Sequence, residues 1–267
     1  MTNEVFPNSK TVYGPVRSWR LGESVGIDPI FETSTCSFNC IYCQLGNIQR
    51  ITTEIKEYVP TQKIVNDFKE LVESGKKIDV ITFSGSGEPT LAANLKEIII
   101  ELKKIAPEKK FMILTNGTEL DKQSVRKALS LLDKVIVKID SANEQMFQRI
   151  NRPAEGVNLA TIISSIKTLK NEYPNLVLDI QTMFMPINKD ETLELAKLLK
   201  EIQPNEVQLN TPKRPYPLSW HRENRGNHLG IFDYEVRELK KVSKDKAEEI
   251  EEFLRKETGL SISSVYK

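Results

Sequence analysis

The chain has only three cysteines and two histidines among its 267 residues. So few histidines leave little material for a His-rich metal site or a Cys/His hydrolase. An odd, clustered set of thiols argues against a disulfide framework and for a reducing compartment. No stretch approaches the ~18 apolar residues of a membrane span, and the polar start from Met1 to Ser9 has no signal-peptide apolar region, so a cytoplasmic protein is expected. Charge of one sign is also missing: 38 Lys+Arg stand against 37 Asp+Glu, which excludes a polyanion coat and still allows a local basic patch. At 39% hydrophobic and 28% charged residues the composition excludes intrinsic disorder. There is no low-complexity segment and no interdomain linker.

What is present is a βα alternation. From about Lys56 onward, apolar stripes at helical spacing recur at Ile64, Val65, Phe68, Leu71 and Val72; at Leu95, Ile98, Ile99 and Leu102; at Leu159, Ile162, Ile163, Ile166 and Leu169; and at Leu195, Leu198, Leu199 and Ile202. Between them lie β-branched runs over residues 79–83, 110–114, 134–139, 176–180 and 206–210, whose near-continuous apolar character suits strands covered on both faces. A first strand is expected near Ile30 to Thr35, which completes a set of six. Parallel strands joined by right-handed crossovers give either a doubly wound sheet or a barrel, and in both the ligand site lies at the C-terminal strand ends. Ser243 can cap a last helix running through Ala247, Ile250, Phe253 and Leu254 to a stop at Gly259, and the tail from Leu260 to Val265 alternates as a strand or a docked extension would.

The three thiols are Cys36, Cys40 and Cys43, in the loop Thr35-Cys36-Ser-Phe-Asn-Cys40-Ile-Tyr-Cys43-Gln-Leu-Gly46. A C-x3-C-x2-C loop of this tightness lets three thiolates converge on one face of an iron–sulfur cubane. A [4Fe–4S] cluster usually takes four cysteines, so three leave one iron open to a substrate or cofactor. A zinc site completed by a distant histidine, or three unrelated buried thiols, are the alternatives. Zinc normally uses two Cys pairs or a regular Cys/His set, and there is no second pair here.

The cysteine loop, with the aromatic Tyr42 just before Cys43, resembles the signature of the radical S-adenosylmethionine (radical SAM) superfamily. The resemblance implies a [4Fe–4S] cluster on Cys36, Cys40 and Cys43, with S-adenosylmethionine chelated through the fourth iron and cleaved by one electron to methionine and a 5′-deoxyadenosyl radical. It also implies an α/β fold: a partial (β/α)6 TIM-like barrel of parallel strands, with an N-terminal extension and a C-terminal helical segment. The expected division is 1–29 as an extension packed on the barrel, 30–230 as the core domain, and 231–267 as a helix and tail of the same domain. A one-electron donor such as flavodoxin or ferredoxin is an expected partner, with no membrane contact.

Other motifs fit the resemblance. Ser84-Gly85-Ser-Gly87-Glu88-Pro89 resembles the family's GEP-type turn, where small residues let backbone approach a ligand and Glu88 offers a carboxylate to its ammonium group. Thr115-Asn116-Gly117 is similar to a TNG segment beside the cofactor, and Asn116-Gly117 suits a tight turn in any case. Lys138 and Asp140 fall on one face of a strand, where they can bind cofactor or form an ion pair. Gln181 follows the next strand as a further cofactor candidate or a polar barrel residue. The run from Tyr13 to Pro29, together with Asn210-Thr-Pro, is similar to small iron–sulfur oxidoreductases related to the tRNA wyosine-base synthases, although no cysteines remain for the second cluster those enzymes carry. On that analogy the substrate is an RNA base, with Arg17, Arg20, Asn210, Lys213 and Arg214 as substrate contacts and Trp19 or Tyr216 stacking, and a protein substrate is the alternative. A glycyl-radical-enzyme activase and a non-catalytic electron-transfer module are the alternative functions. His221, His228 and Trp220 form either a lid over the site or a connection to the terminal helix.

Overall fold

The β-branched runs pair side by side into one curled sheet, and the amphipathic segments cover its outer face. The structure is a computed structural model that describes residues 10–18, 21–226 and 233–265. Eight strands make the sheet: β1 (Val12–Ser18), β2 (Gly22–Ile27), β3 (Val80–Phe83), β4 (Lys110–Thr115), β5 (Lys134–Lys138), β6 (Val177–Met183), β7 (Glu206–Asn210) and β8 (Ile262–Ser264). They lie in chain order from β1 to β8. Only the β1/β2 pair is antiparallel. Seven helices accompany them: α1 (Thr61–Glu73), α2 (Leu95–Ile105), α3 (Gln123–Leu129), α4 (Glu144–Asn151), α5 (Leu159–Glu172), α6 (Thr192–Ile202) and α7 (Lys244–Thr258). Among the described residues no ladder joins β8 back to β1, so the sheet is a half-barrel. This is the expected partial TIM-like architecture.

Register explains the layering. The pairs Phe83↔Ile113, Ile113↔Val135, Val135↔Leu178 and Ile180↔Val207 put one set of side chains on a common face. That face meets the helical stripes, including Ile98, Ile99, Leu102, Ile166 and Leu169, in the main core. Each such aliphatic side chain, fully buried, contributes about 1.5–3 kcal/mol. The concave face has only a small apolar floor of Val80, Met112 and Ile136. Above β5 to β7 it is polar, with Lys134 paired to Asp179 at 2.6 Å and Gln208 donating to the same carboxylate at 3.0 Å. No helix of the described residues is long and apolar enough to cross a membrane.

Several expectations need correction. The first parallel strand of the sheet is β2, residues 30–33 are bends and a turn, and Thr35–Cys36 form a two-stranded ladder with Arg50–Ile51, apart from the main sheet. The cause is local: Asp28 Oδ1 accepts from the amides of Ile30 and Phe31 at 3.0 and 2.9 Å, and Phe31 adopts a left-handed φ of 59°. The run before Pro29 is an antiparallel hairpin that extends the sheet, so the parallel strands number seven. The short helices α3 and α4 were not foreseen. The tail resolves toward the strand: β8 pairs parallel with β7 through Ile262↔Val207 and Ser264↔Leu209. Helix α7 has the expected ends, with Ser243 Oγ accepting from Lys246 N at 3.3 Å and Gly259 in the left-handed region.

Candidate functional site

The segment following β2 is held against the C-terminal strand ends by the loops that follow β3, β4, β5 and β7. Its first clamp is the turn after β3. Thr35 and Gly87 form a parallel bridge, with Thr35 N donating to Ser86 O at 3.1 Å and Glu88 N donating to Thr35 O at 3.0 Å. A Cβ on Gly87 would stand 1.7 Å from Thr35 O, so only glycine permits this approach. Glu88 is 3% exposed and its carboxylate is filled: Oε1 accepts from Thr90 N, Thr90 Oγ1 and Thr115 Oγ1 at 3.1, 2.7 and 2.6 Å, and Oε2 from Asn116 N at 2.7 Å. Burial raises the pKa of this carboxyl above its ordinary value, against those hydrogen bonds. Glu88 therefore ties the turn after β3 to the end of β4, which aims Asn116 at the cysteine loop. Asn116 Nδ2 donates to Ser37 Oγ at 2.8 Å and reaches Cys36 Sγ at 3.6 Å.

The second clamp comes from β5 and α4. Asn143 caps α4 through its Oδ1 and Met146 N at 3.0 Å, and Arg152 ends the helix in a left-handed conformation. The amide of Asn39 donates to Asn151 O and Arg152 O, and that of Ile41 to Ile150 O. Asp140, completely buried in its side chain, accepts from Tyr42 OH and Asn151 Nδ2 on Oδ2, and from Met183 N at 2.7 Å on Oδ1. Lys138 Nζ pairs with Oδ1 at 2.9 Å and lies 5.0 Å from the centre of the Tyr42 ring. Of the two roles open to Lys138 and Asp140, the ion pair is the one formed. Gln181, opposite Lys138 in the ladder, is buried with its Nε2 lacking a protein acceptor.

The third clamp is the segment after β7. Gly46 has a φ of 85°, and a Cβ there would meet Ser219 O at 2.1 Å. Tyr216 OH donates to Asn47 Oδ1 at 2.6 Å, and His221 N donates to Leu45 O at 3.0 Å. Residues 216–224 thus lie directly on the cysteine loop. Deeper, the fully buried Arg225 pairs with Asp28 at 2.8 Å, its guanidinium 4.8 Å from the centre of the Tyr13 ring. Asp28 Oδ2 also accepts from Ser86 N and Oγ, at 2.9 and 2.6 Å. Ser84 Oγ shares a 2.8 Å hydrogen bond with Tyr13 OH, and Gly85 backs onto the Asp28 side chain.

The thiols themselves are half-buried and unbridged. Burial, with the charge of Glu88 next, pushes the Cys36 thiol well above its ordinary pKa; burial, then Asp140, pushes Cys40 up to about 12; and burial pushes Cys43 up to about 11. Cys36 Sγ accepts from Phe38 N at 3.4 Å and Cys40 Sγ from Asn151 Nδ2 at 3.4 Å. Amide donors at sulfur are what a thiolate ligand needs once metal displaces its proton. Among the described residues no group of three or more His, Cys, Asp or Glu side chains could hold a single metal ion. A cubane makes no such demand, because each thiolate meets a different iron. The donor set therefore fits a cluster with three cysteine ligands.

The structure thus brings together Cys36, Cys40, Cys43, Tyr42, Ser84, Gly85, Gly87, Glu88, Asn116, Lys138 and Asp140. Asn210 lies at the end of β7, where its Oδ1 accepts from Thr211 N at 2.9 Å. Arg214 is turned inward to Gln44 Oε1 at 3.1 Å and to the carbonyls of Asn224 and Gly226, and Lys213 is exposed. Arg17 pairs across the hairpin with Glu23, near the N-terminal end of β2 and so at the opposite end of the sheet. Arg20, Trp19 and His228 lie outside the described residues. Sequence reasoning missed Asp28, Asn151 and Arg225. Pro153 was a signal for a helix end at Asn151, but nothing local pointed its side chain at Cys40.

A half-barrel whose strand ends hold a three-cysteine loop defines a class of cluster-binding α/β proteins. A radical SAM superfamily profile matches residues 31–199, and the chain belongs to that family. A UPF0026 protein of Synechocystis sp. is 46% identical over 229 residues, covering 85% of this chain and 84% of its own. Streptococcus suis SuiB bound to S-adenosylmethionine superposes with a TM-score of 0.61 at 15% identity, over 87% of this chain and 48% of that one, so this chain spans about half of SuiB. TYW1 with a lysine-pyruvate adduct superposes with a TM-score of 0.58 at 16% identity, over 87% of this chain and 73% of that one. At these identities the two structures share the fold. The family implies a [4Fe–4S] cluster and S-adenosylmethionine.

Proposed function

We propose that this protein is a cytoplasmic radical SAM enzyme that cleaves S-adenosylmethionine reductively and directs the radical at a separate substrate. The observation that carries this reading is the placement of Cys36, Cys40 and Cys43 in one half-buried loop, with side-chain amides at two sulfurs and strand ends from the half-barrel beside them. When bound, the cluster supplies the electron that breaks the sulfonium bond, drawn from a one-electron donor such as flavodoxin or ferredoxin. The chain's own residues bind and orient. The three cysteines would hold the cluster, and the turn from Ser84 to Glu88, bridged to Thr35, would hold the cofactor beside it. Glu88, its carboxylate saturated, fixes Asn116, and Asp140, paired with Lys138, fixes Tyr42, while the unpartnered amide of Gln181 is offered to the rest of the cofactor. Residues 216–224 cover the loop and exclude water.

An RNA base is the substrate class carried forward from the likeness to the wyosine-base synthase group, with Asn210 and the exposed Lys213 as its candidate contacts on the side of the cysteine loop. Arg17, at the far end of the sheet, is not one of them.

The test is anaerobic reconstitution with iron and sulfide, followed by chromatography for 5′-deoxyadenosine after addition of S-adenosylmethionine and dithionite, with Cys43→Ala as control. Product from the parent alone supports radical chemistry. A cluster that forms without binding S-adenosylmethionine rejects it. Salt-dependent RNA binding that weakens in Lys213→Ala supports the RNA reading, and its absence at low salt rejects it.

A further inference from the structure

Asn151 sits at the last position of α4, 1% exposed, with its side chain between the cysteine loop and the end of β5. Its Nδ2 lies 2.7 Å from Asp140 Oδ2, 3.4 Å from Cys40 Sγ and 3.5 Å from Tyr42 OH. With Cys40 as a cluster ligand the orientation of this amide is fixed by chemistry: a carboxylate and a thiolate only accept hydrogen bonds, so the NH2 group must face both. Its Oδ1 is then left buried with no protein donor. Burying a carbonyl without a partner costs free energy, so the fold keeps this arrangement at some expense.

The side chain is not what docks the loop. Main-chain bonds do that: Asn39 N to Asn151 O at 2.9 Å and to Arg152 O at 3.1 Å, Ile41 N to Ile150 O at 2.9 Å, and Ala154 N to Ser37 O at 2.8 Å. None of these needs an amide side chain at position 151. On the other side of the loop Asn116 makes the matching contact with Cys36, at 3.6 Å.

We infer that Asn151 is a positioning residue for Cys40 that sets the reduction potential of the cluster, with Asn116 doing the same at Cys36. This rests on the cluster reading of the cysteine loop. Reduction adds one electron, whose charge spreads onto the cluster and its thiolate sulfurs. An N–H dipole aimed at a sulfur stabilises the reduced form more than the oxidised form and raises the potential. Anchoring the same NH2 group on Asp140 holds it in place.

The experiment is an anaerobic redox titration of the reconstituted full-length protein without S-adenosylmethionine, followed by electron paramagnetic resonance. Asn151→Leu removes both N–H groups at similar volume. Its midpoint should fall, with an expected tenfold drop in the ratio of reduced to oxidised cluster at the parent's midpoint, which is about 59 mV for a one-electron couple. Full iron content with an unmoved midpoint overturns the proposal, whereas a parent that takes up no iron overturns the cluster reading instead. Should Asn151→Leu fail to assemble a cluster, the parent labelled with [15N]asparagine decides the matter. Two inequivalent 15N couplings to the reduced cluster support the two amide contacts, and fewer than two overturn them.

Discussion

Gly87 and Thr35 approach so closely that a single added carbon on Gly87 would stand 1.7 Å from the carbonyl oxygen of Thr35. The glycine of the GEP-like turn therefore serves the junction between that turn and the cysteine loop, whatever it contributes to a ligand. Gly87→Ala forces the two backbones apart and should cost about 1–3 kcal/mol, at the upper end because the neighbour is backbone. Urea unfolding of the apo protein measures the loss, and iron content after reconstitution should fall with it. An alanine variant with parental stability and full iron would show that the junction gives way cheaply.

Glu88→Gln replaces an acceptor-only oxygen facing Asn116 N by a donor, leaving a buried N–H unsatisfied at a cost of about 1–3 kcal/mol. A second effect depends on pH. Burial raises the folded-state pKa of Glu88 above its ordinary 4.5, so the native state binds the proton more tightly than the unfolded chain does. Stability contributed by the protonated form is present below pH 4.5 and is lost as pH rises through the raised value. The parent's advantage over the glutamine variant should narrow across that window and stay flat above it, as followed by urea midpoints.

Arg225→Met leaves the Asp28 carboxylate buried without its cation, a loss of about 3–5 kcal/mol. Asp28 also holds Ser86 and the turn at Ile30 and Phe31, so the damage should spread to the turn after β3. Limited proteolysis should find new cuts within residues 211–226, together with a lower urea midpoint.

Tyr42→Phe deletes one hydrogen bond to a charged group and should cost about 1.5–3 kcal/mol. Hydrogen exchange should quicken at the amides of Cys43 and Gly46, which close the turns around Tyr42. Unchanged exchange would mean that the main-chain bonds to α4 hold the loop unaided.

Much of the fold was legible because its signals are local. The strands β3 to β7 and the helices α1, α2, α5 and α6 repeat their period over enough residues to stand out. Helices α3 and α4, seven and eight residues long, offer too few turns for a stripe. The strand misplaced to Ile30 through Thr35 shows the other limit: the apolar content is there, but the Asp28 side chain bends the backbone into a turn. At the site, cysteine spacing is a local property and was readable. The pairing of Arg225 with Asp28 spans 197 residues and that of Asn151 with Cys40 spans 111, and one sequence carries no sign of either. The position of Arg17 was not legible either, since only the antiparallel sense of β1 sends it to the far end of the sheet.

The three clamps on the cysteine loop also impose an order in time. Cysteines 36, 40 and 43 leave the ribosome early, while their partners follow 80 residues later at Asn116, 111 later at Asn151, and 180 later where Asn224 O receives Gln44. A domain made from the N-terminus forward therefore carries these thiols unprotected through most of its synthesis. The loop's last side closes only once residues 216–225 have been made, and until then the three thiols lie open on a partly built half-barrel.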